Sequence, residues 1–157
     1  MSYKNYLTAM KLASQCRYYL TANGRTPDEI KAAEDMLGVK FSRQCWDFYN
    51  KYGYLSFYGN EIFGINTFDD SGELEGNSVL YALNDRTEYR LPLEWIPIYN
   101  YGDGNMAYLD YGSLNADKEP RVIVAGYNGH GYTIVRIVAE DFGDFILDLV
   151  LTQLREE

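Results

Sequence analysis

Histidine and cysteine, the residues most often used for metal binding and nucleophilic catalysis, are scarce in this chain, whereas carboxylates are abundant. His130, Cys16 and Cys45 stand beside 23 acidic side chains. A structural zinc site needs about four such ligands, and the two cysteines fall on predicted helices separated by a capped turn. The acidic run 69–73 (DDSGE) lacks the alternating oxygen ligands of an EF-hand, which favours a solvated loop over calcium binding. We expect no metal and no cofactor.

Catalysis also finds little support in the sequence. A Cys–His pair would need a surface cysteine beside His130, which lies in a glycine-flanked turn, whereas both cysteines occupy predicted core positions. The Gly102-Asp103-Gly104 turn is too short for a phosphate-binding loop and leads into no helix. One enzymatic alternative stays open, in which Asp103 and Asp110 hold a divalent metal. The sequence favours a protein that is not an enzyme.

The charge of the chain is concentrated in its middle third. Residues 52–120 hold 3 basic and 12 acidic side chains, so their net charge of -9 equals that of all 157 residues. A surface of this sign repels a phosphate backbone, which argues against nucleic-acid binding. It favours a cationic protein partner and speeds the encounter with it. A role in solubility alone explains the acidity equally well at this stage.

Tyrosine is abundant in the same acidic third, with nine of the chain's 16 tyrosines in residues 52–120. Tyrosine buries a large area and keeps a polar tip, which suits it to protein interfaces. Alternation along strands also places about half of these rings in the core. The residues that we predict to contact a basic partner are Asp69, Asp70, Glu73, Glu75, Tyr101, Asp103 and Asp110.

The first third of the chain carries helical signals. Apolar residues at three- and four-residue spacing predict a first helix that ends at Asn23-Gly24. Thr26-Pro27-Asp28-Glu29 combines an N-cap, a proline at the first helical position and a capping-box acid, and Gly38 provides the exit. Ser42 predicts the N-cap of a third helix that ends at Gly53.

From residue 54 onward the pattern is that of strands. The predicted strands cover residues 54–58, 61–65, 95–99, 106–111, 121–127 and 132–138, with a Gly59-Asn60 turn between the first two. A short helix over 79–88 and a final helix over about 139–154 complete the chain. This order predicts one α+β domain over residues 1–157, with N-terminal helices, a central, mainly antiparallel twisted sheet and a C-terminal helix packed on that sheet.

Three further expectations concern the environment and assembly of the chain. The N-terminus does not read as a signal peptide and no segment is long and apolar enough to cross a bilayer, which predicts a cytoplasmic protein without membrane contact. Two cysteines are too few for a disulfide scaffold, so we expect both to be reduced and buried. Pro97 predicts an edge strand or a bulge, and an exposed edge there would let two copies pair; the oligomeric state is left open.

Several residues occur in the order typical of a known family. The chain resembles the SUKH superfamily, bacterial immunity proteins related to a yeast cell-wall-synthesis regulator. The residues that carry the resemblance are Ile30, Glu34, Leu37-Gly38, Phe41, Phe48, Gly53, Ile96-Pro97-Ile98, the Gly102-Asp103-Gly104 turn, Leu109-Asp110, Pro120, Ala139, Phe142 and Phe145. Ser42 stands where the family usually has proline, and residues 66–91 match only loosely.

The resemblance implies a non-enzymatic domain that binds and neutralises a toxin, often a nuclease, delivered between bacterial cells. A nuclease is basic around its substrate site, so an acidic surface rich in tyrosine complements it. Neutralisation would occur by occlusion of the toxin. The alternative is a regulatory scaffold that recruits a cellular protein, as the yeast relative is thought to do.

Overall fold

Five helices and seven strands make up the part of the chain that the computed structural model describes, residues 2–65 and 76–156. Their bounds are α1 (Ser2–Ala13), β1 (Leu20–Thr21), α2 (Pro27–Leu37), α3 (Arg43–Lys51), β2 (Leu55–Phe57), β3 (Asn60–Ile62), α4 (Ser78–Tyr89), β4 (Trp95–Asn100), β5 (Asn105–Leu114), β6 (Pro120–Tyr127), β7 (Tyr132–Ala139) and α5 (Phe142–Glu156). The strands form two antiparallel sheets, ordered β1-β2-β3 and β4-β5-β6-β7. Because α5 packs on β6 and β7, the α+β prediction is confirmed.

Helix α2 begins and ends where its sequence signals place it. The Thr26 hydroxyl accepts the Glu29 N–H at 3.1 Å, and the Glu29 carboxylate accepts the Thr26 N–H at 3.0 Å, which completes the capping box. Gly38 ends the helix with a φ of 74°, a left-handed conformation that glycine adopts without steric cost. Such an N-cap contributes about 1 kcal/mol to the stability of a helix.

Helix α3 begins at the predicted position, but a different residue caps it. Ser42 is the N-cap residue, and its side chain makes no capping hydrogen bond. The Gln44 N–H donates instead to Oε2 of Glu119, which lies 75 residues further along the chain, at 3.2 Å. The start of α3 is therefore fixed by the sheet rather than by its own sequence.

The sheet β1-β2-β3 differs from the sequence prediction in extent and in its turn. The β2–β3 turn is formed by Tyr58-Gly59, one residue earlier than predicted, because Phe57 pairs with Asn60. Tyr58 and Gly59 both have positive φ, 54° and 84°, as a type I′ turn requires. The two-residue strand β1, which the sequence did not indicate, pairs with β2 through Leu20 and Ser56.

Strand β4 lies at the edge of the four-stranded sheet and carries a register shift between Pro97 and Tyr99, as proline predicts. This edge is covered, however. The Ser78 hydroxyl donates to the Pro97 carbonyl at 2.5 Å, and the Phe63 N–H donates to the Ile98 carbonyl at 2.9 Å. The expectation of an exposed edge at Pro97 is therefore wrong, and β7 forms the open edge of this sheet.

The core lies where α1, α3 and α5 meet the sheets. Tyr6 of α1 packs on Phe142 of α5 with ring centroids 6.5 Å apart, and Phe142 contacts Phe48 of α3. Gly143 lets α1 and α5 approach closely, since a Cβ at this position would lie 2.6 Å from Cβ of Tyr6. Among the described helices none is long and apolar enough to span a bilayer.

Candidate partner-binding site

The structure describes three of the seven predicted contact residues, Tyr101, Asp103 and Asp110, and it places Asp110 within β5, apart from the turn that holds Asp103. Asp69, Asp70, Glu73 and Glu75 belong to residues 66–75, called here the acidic segment, which lies outside the described residues. Asp103 is exposed in the β4–β5 turn, where its carboxylate accepts the Asn105 N–H at 3.0 Å. Tyr101 is half-buried, and its ring contacts Tyr99 and faces the guanidinium of Arg136 at 6.0 Å.

Asp110 has a structural position rather than a surface one. It is 5% exposed, and its carboxylate pairs with Nε of Arg121 on the neighbouring strand at 2.9 Å. Asp110 and Arg121 are directly opposite each other in the β5–β6 register. Five residue steps along β5 lead from Asn105 to Asp110, which places their Cα atoms on the order of 17 Å apart, and Asp103 lies in the turn beyond Asn105. One metal ion cannot bind both.

The cysteines and the histidine also lie apart. Cys16 and Cys45 are buried thiols, and burial raises the pKa of Cys45 to about 12, so this thiol stays protonated at neutral pH. His130 is exposed in the turn between β6 and β7. Within residues 2–65 and 76–156 no three His, Cys, Asp or Glu side chains are grouped as metal ligands would be.

The feature best suited to a partner is an open groove on the outer face of β1-β2-β3. It encloses about 770 Å³ and is lined by Tyr18, Leu20, Tyr54, Ser56, Tyr58, Gly59 and Glu61, which together are called here the tyrosine groove. Strand alternation builds this face: Leu55 and Phe57 are fully buried, so the residues between and beside them point outward. Leu20, Ser56 and Glu61 are cross-strand neighbours on it.

Two tyrosines at one end of the tyrosine groove have an unusual backbone. Tyr18 and Tyr58 have φ values of 60° and 54°, the left-handed region that bulky residues rarely adopt. Their rings meet edge to face with centroids 6.3 Å apart, and the Tyr58 N–H donates to the Arg17 carbonyl at 2.9 Å. Tyr18 is 78% exposed. Backbone strain that holds an aromatic ring in solvent is typical of a functional surface.

Glu61 supplies the negative charge of the tyrosine groove. The Tyr54 hydroxyl donates to its Oε1 at 2.5 Å. A carboxylate offers about four acceptor positions, and among the described residues this is the one side-chain hydrogen bond to Glu61. No lysine or arginine is found among the described residues that line the groove.

Chain connectivity attaches the acidic segment to the same region. The segment joins Ile65 to Gly76, and the N–H of Gly64 donates to the carbonyl of Gly76 at 3.0 Å, which brings its two ends together. Gly76 lies beside the groove, since a Cβ there would be 3.4 Å from Cε1 of Tyr54. Gly76, the residue that follows the acidic segment, therefore lies against Tyr54, the hydrogen-bond donor to Glu61.

Glu119, which caps α3, is the most deeply buried glutamate in the described chain, with 2% exposure. Its Oε1 atom has no hydrogen-bond partner among the described residues. Burial, opposed by the hydrogen bond from the Gln44 N–H, raises the pKa of Glu119 above its ordinary value of 4.5. The folded chain thus binds this proton more tightly than the unfolded chain does.

We expect this carboxyl to make stability fall as pH rises. Its contribution is most favourable below about pH 4.5 and decreases as the pH passes through the raised pKa, because the folded chain must then hold an ionised, partly unsatisfied carboxylate. In urea unfolding, the stability of Glu119→Gln relative to wild type should increase from pH 4.5 to about pH 7. The exposed control Glu88→Gln should show no such trend, and a flat difference for Glu119→Gln would contradict the assignment.

The sequence indicated only part of the tyrosine groove. Tyr54 and Tyr58 were counted among the tyrosines of the acidic third, but Tyr18, Leu20 and Glu61 were not selected. The alternation of Tyr54, Ser56 and Tyr58 about two apolar residues was an available signal for an outward face. The pairing of β1 with β2, which adds Tyr18 and Leu20, had no such signal.

The described residues thus form an α+β domain that carries an aromatic, negatively charged groove. A family model described as SUKH_6, SMI1-KNR4 cell-wall, matches residues 27–146. Because the match covers most of the chain, the chain belongs to this family and thereby to the SUKH superfamily. Membership is consistent with an immunity-type function. A comparison with curated protein sequences finds no match.

Proposed function

We propose that this chain is an immunity protein that binds a bacterial toxin in the cytoplasm and neutralises it by occlusion. The observation that carries the proposal is the tyrosine groove, which contains Glu61 and has Gly76, the residue that follows the acidic segment, packed against Tyr54. Family membership supports a binding role. The toxin is proposed to be a nuclease, because nucleases are basic around the site where they hold phosphate.

Electrostatics and shape contribute to binding in different ways. The acidic segment supplies four negative charges that attract a basic surface from a distance and raise the association rate. The tyrosines supply rigid contact area that excludes water once the partners meet, which slows dissociation. An immunity protein needs both properties, since it must capture its toxin before the toxin reaches nucleic acid.

Part of the tyrosine groove lies outside the family match. Tyr18 and Leu20 precede residue 27, where the match begins. The groove therefore combines strands of the family domain with a segment that the family model does not describe. Residues outside the shared domain can therefore determine which toxin this chain binds, which the shared fold alone does not.

The test uses the toxin domain encoded beside this gene. Wild-type protein is expected to bind that toxin and to protect cells that express it. Reversal of Asp69, Asp70, Glu73 and Glu75 to lysine should lower the affinity at least about 30-fold and flatten its dependence on salt, because four rim charges contribute roughly 0.5 kcal/mol each or more. Affinity is measured by calorimetry at several salt concentrations.

A control with the same change in net charge separates local from global effects. Glu88, Asp117, Glu140 and Glu156 are exposed and lie outside the groove, so their reversal to lysine should reduce affinity far less. Equal losses for the two quadruple variants would reject the acidic segment as contact surface. A wild-type protein that neither binds nor protects would reject the immunity function itself.

A second candidate function is a regulatory scaffold that recruits a cellular protein, and β7 favours it. Ile134, Val135 and Ile137 are exposed on this open edge strand, at the end of the sheet order away from β4. An apolar edge strand is a ready site for pairing with another chain. A pull-down from cells that lack the toxin separates the two functions, because only a scaffold has a partner there.

A further inference from the structure

The residues of the tyrosine groove have the chemistry of a receptor for a cation. We propose that the groove binds one arginine side chain of the partner protein, whose guanidinium packs on the tyrosine rings and pairs with Glu61. The nature of the partner, a basic toxin, rests on the proposed function. The arginine assignment rests on the groove itself.

The walls of the groove are aromatic. Tyr18, Tyr54 and Tyr58 line it, and the edge-to-face contact between Tyr18 and Tyr58 gives their rings different orientations. The face of a tyrosine ring carries partial negative charge and attracts a cation placed over it. The αL conformations of Tyr18 and Tyr58 show that the fold maintains this arrangement against backbone strain.

The charge of the groove is negative, and the part of the chain that the structure describes supplies no ion-pair partner for it. Glu61 is half-buried on the groove face and accepts one hydrogen bond, from Tyr54, within the described part of the chain. No basic side chain is among the described residues that line the groove. A cation from another protein would therefore meet a carboxylate whose remaining acceptor positions have no side-chain donor among residues 2–65 and 76–156.

The arrangement favours arginine over lysine. A guanidinium is planar, stacks on aromatic rings and donates two parallel hydrogen bonds to one carboxylate, whereas an ammonium is a compact and strongly hydrated charge. The groove offers aromatic walls together with the Glu61 carboxylate and the Ser56 hydroxyl, which are acceptors for several N–H groups of one guanidinium. Its open form admits a side chain that projects from a protein surface.

The experiment titrates the isolated full-length chain with blocked Gly-Arg-Gly, Gly-Lys-Gly and Gly-Gln-Gly peptides and follows the tyrosine ring resonances by NMR. The arginine peptide should shift the resonances of Tyr18, Tyr54 and Tyr58 in proportion to its concentration, and the lysine peptide should do so at least about threefold less. The glutamine peptide should leave them unchanged. Equal shifts with arginine and lysine, or shifts confined to tyrosines outside the groove, would overturn the proposal.

Two variants test whether the arginine-induced shifts depend on the Glu61 carboxylate. Glu61→Gln keeps the size of the side chain and removes its charge, so it should reduce the arginine-induced shifts about threefold or more. Glu88→Gln removes an equal charge from an exposed position on α4 and should leave them unchanged. Arginine-induced shifts that survive Glu61→Gln in full would also overturn the proposal.

These peptides test the groove independently of the toxin. If the arginine peptide binds but the neighbouring toxin does not, the groove assignment stands and the immunity function fails. If the toxin binds equally well to wild type and to Glu61→Gln, and the arginine peptide does not bind, the immunity function stands and the groove assignment fails.

Discussion

Replacement of Gly143 by alanine is expected to lower the free energy of unfolding by about 3 kcal/mol. A Cβ at this position would lie 2.6 Å from Cβ, 2.7 Å from Cα and 2.8 Å from N of Tyr6, and two of these atoms belong to the backbone of α1. Neither helix can relieve the clash by a rotamer change, so α1 and α5 must separate. Urea unfolding followed by circular dichroism measures the loss.

Gly131 provides the matched control for this substitution. A Cβ at Gly131 would meet no atom within 4 Å and its φ is not left-handed, so Gly131→Ala should change the free energy of unfolding by less than about 0.5 kcal/mol. Both variants make the same chemical change, which removes the effect of alanine on the unfolded chain. Equal stabilities for the two variants would contradict the close packing of α1 on α5.

Replacement of Tyr58 by asparagine is expected to act in opposite directions on stability and on toxin binding. An asparagine followed by Gly59 would be the preferred pair for a type I′ turn, so the free energy of unfolding should rise by about 0.5–1 kcal/mol. The same change removes a ring from the tyrosine groove, and the toxin affinity should fall about 30-fold, as for an aromatic residue that dominates an interface. Thermal unfolding and calorimetry measure the two effects.

The variant Tyr58→Phe distinguishes the effect of the aromatic ring from the effect of the backbone conformation. Phenylalanine keeps the aromatic surface and the strained φ of 54°, so this variant should retain most of the affinity and gain no stability. A Tyr58→Asn variant that binds as tightly as wild type would exclude the ring from the interface. A loss of stability in the same variant would show that the turn does not favour asparagine.

The strain at Tyr58 therefore has a plain interpretation. A turn that served the fold alone would use asparagine or glycine at a position with positive φ. We therefore expect tyrosine at this position to lower stability and the gain to lie in the proposed binding, a trade that is common at functional surfaces.

Local signals in the sequence were sufficient for most elements of the fold. Thr26, Glu29 and Gly38 fixed the ends of α2 because capping acts within a few residues. Pro97 located an edge strand and its irregularity because proline cannot donate to a ladder. Elements that depend on distant partners were predicted less well. Strand β1 has two residues and is formed through its pairing with β2. Strand β7 extends to Ala139, so α5 begins at Phe142 and not at the predicted residue 139.

The candidate site illustrates the same distinction. Composition alone located the acidic third, but it did not separate surface carboxylates from structural ones. Asp110 is buried because Arg121 lies opposite it in the sheet, and Glu119 is buried because it caps α3, and both relations depend on register and tertiary packing. Tyr18 joins Tyr54 and Tyr58 only after β1 has paired, so no sequence spacing could predict the groove.

The contact between α1 and α5 has a consequence for biosynthesis. Asn5 Nδ2 donates to Asp144 Oδ1 at 2.8 Å across 139 residues of sequence, and the Tyr6 ring lies on the first turn of α5. The β5–β6–β7 hairpins need only short loops and can form as they are synthesised, whereas α1 leaves the ribosome long before the helix that covers it. Until residue 142 and the turns after it have emerged, the apolar face of α1 has no permanent cover. A nascent chain halted before that point would therefore be a substrate for chaperones.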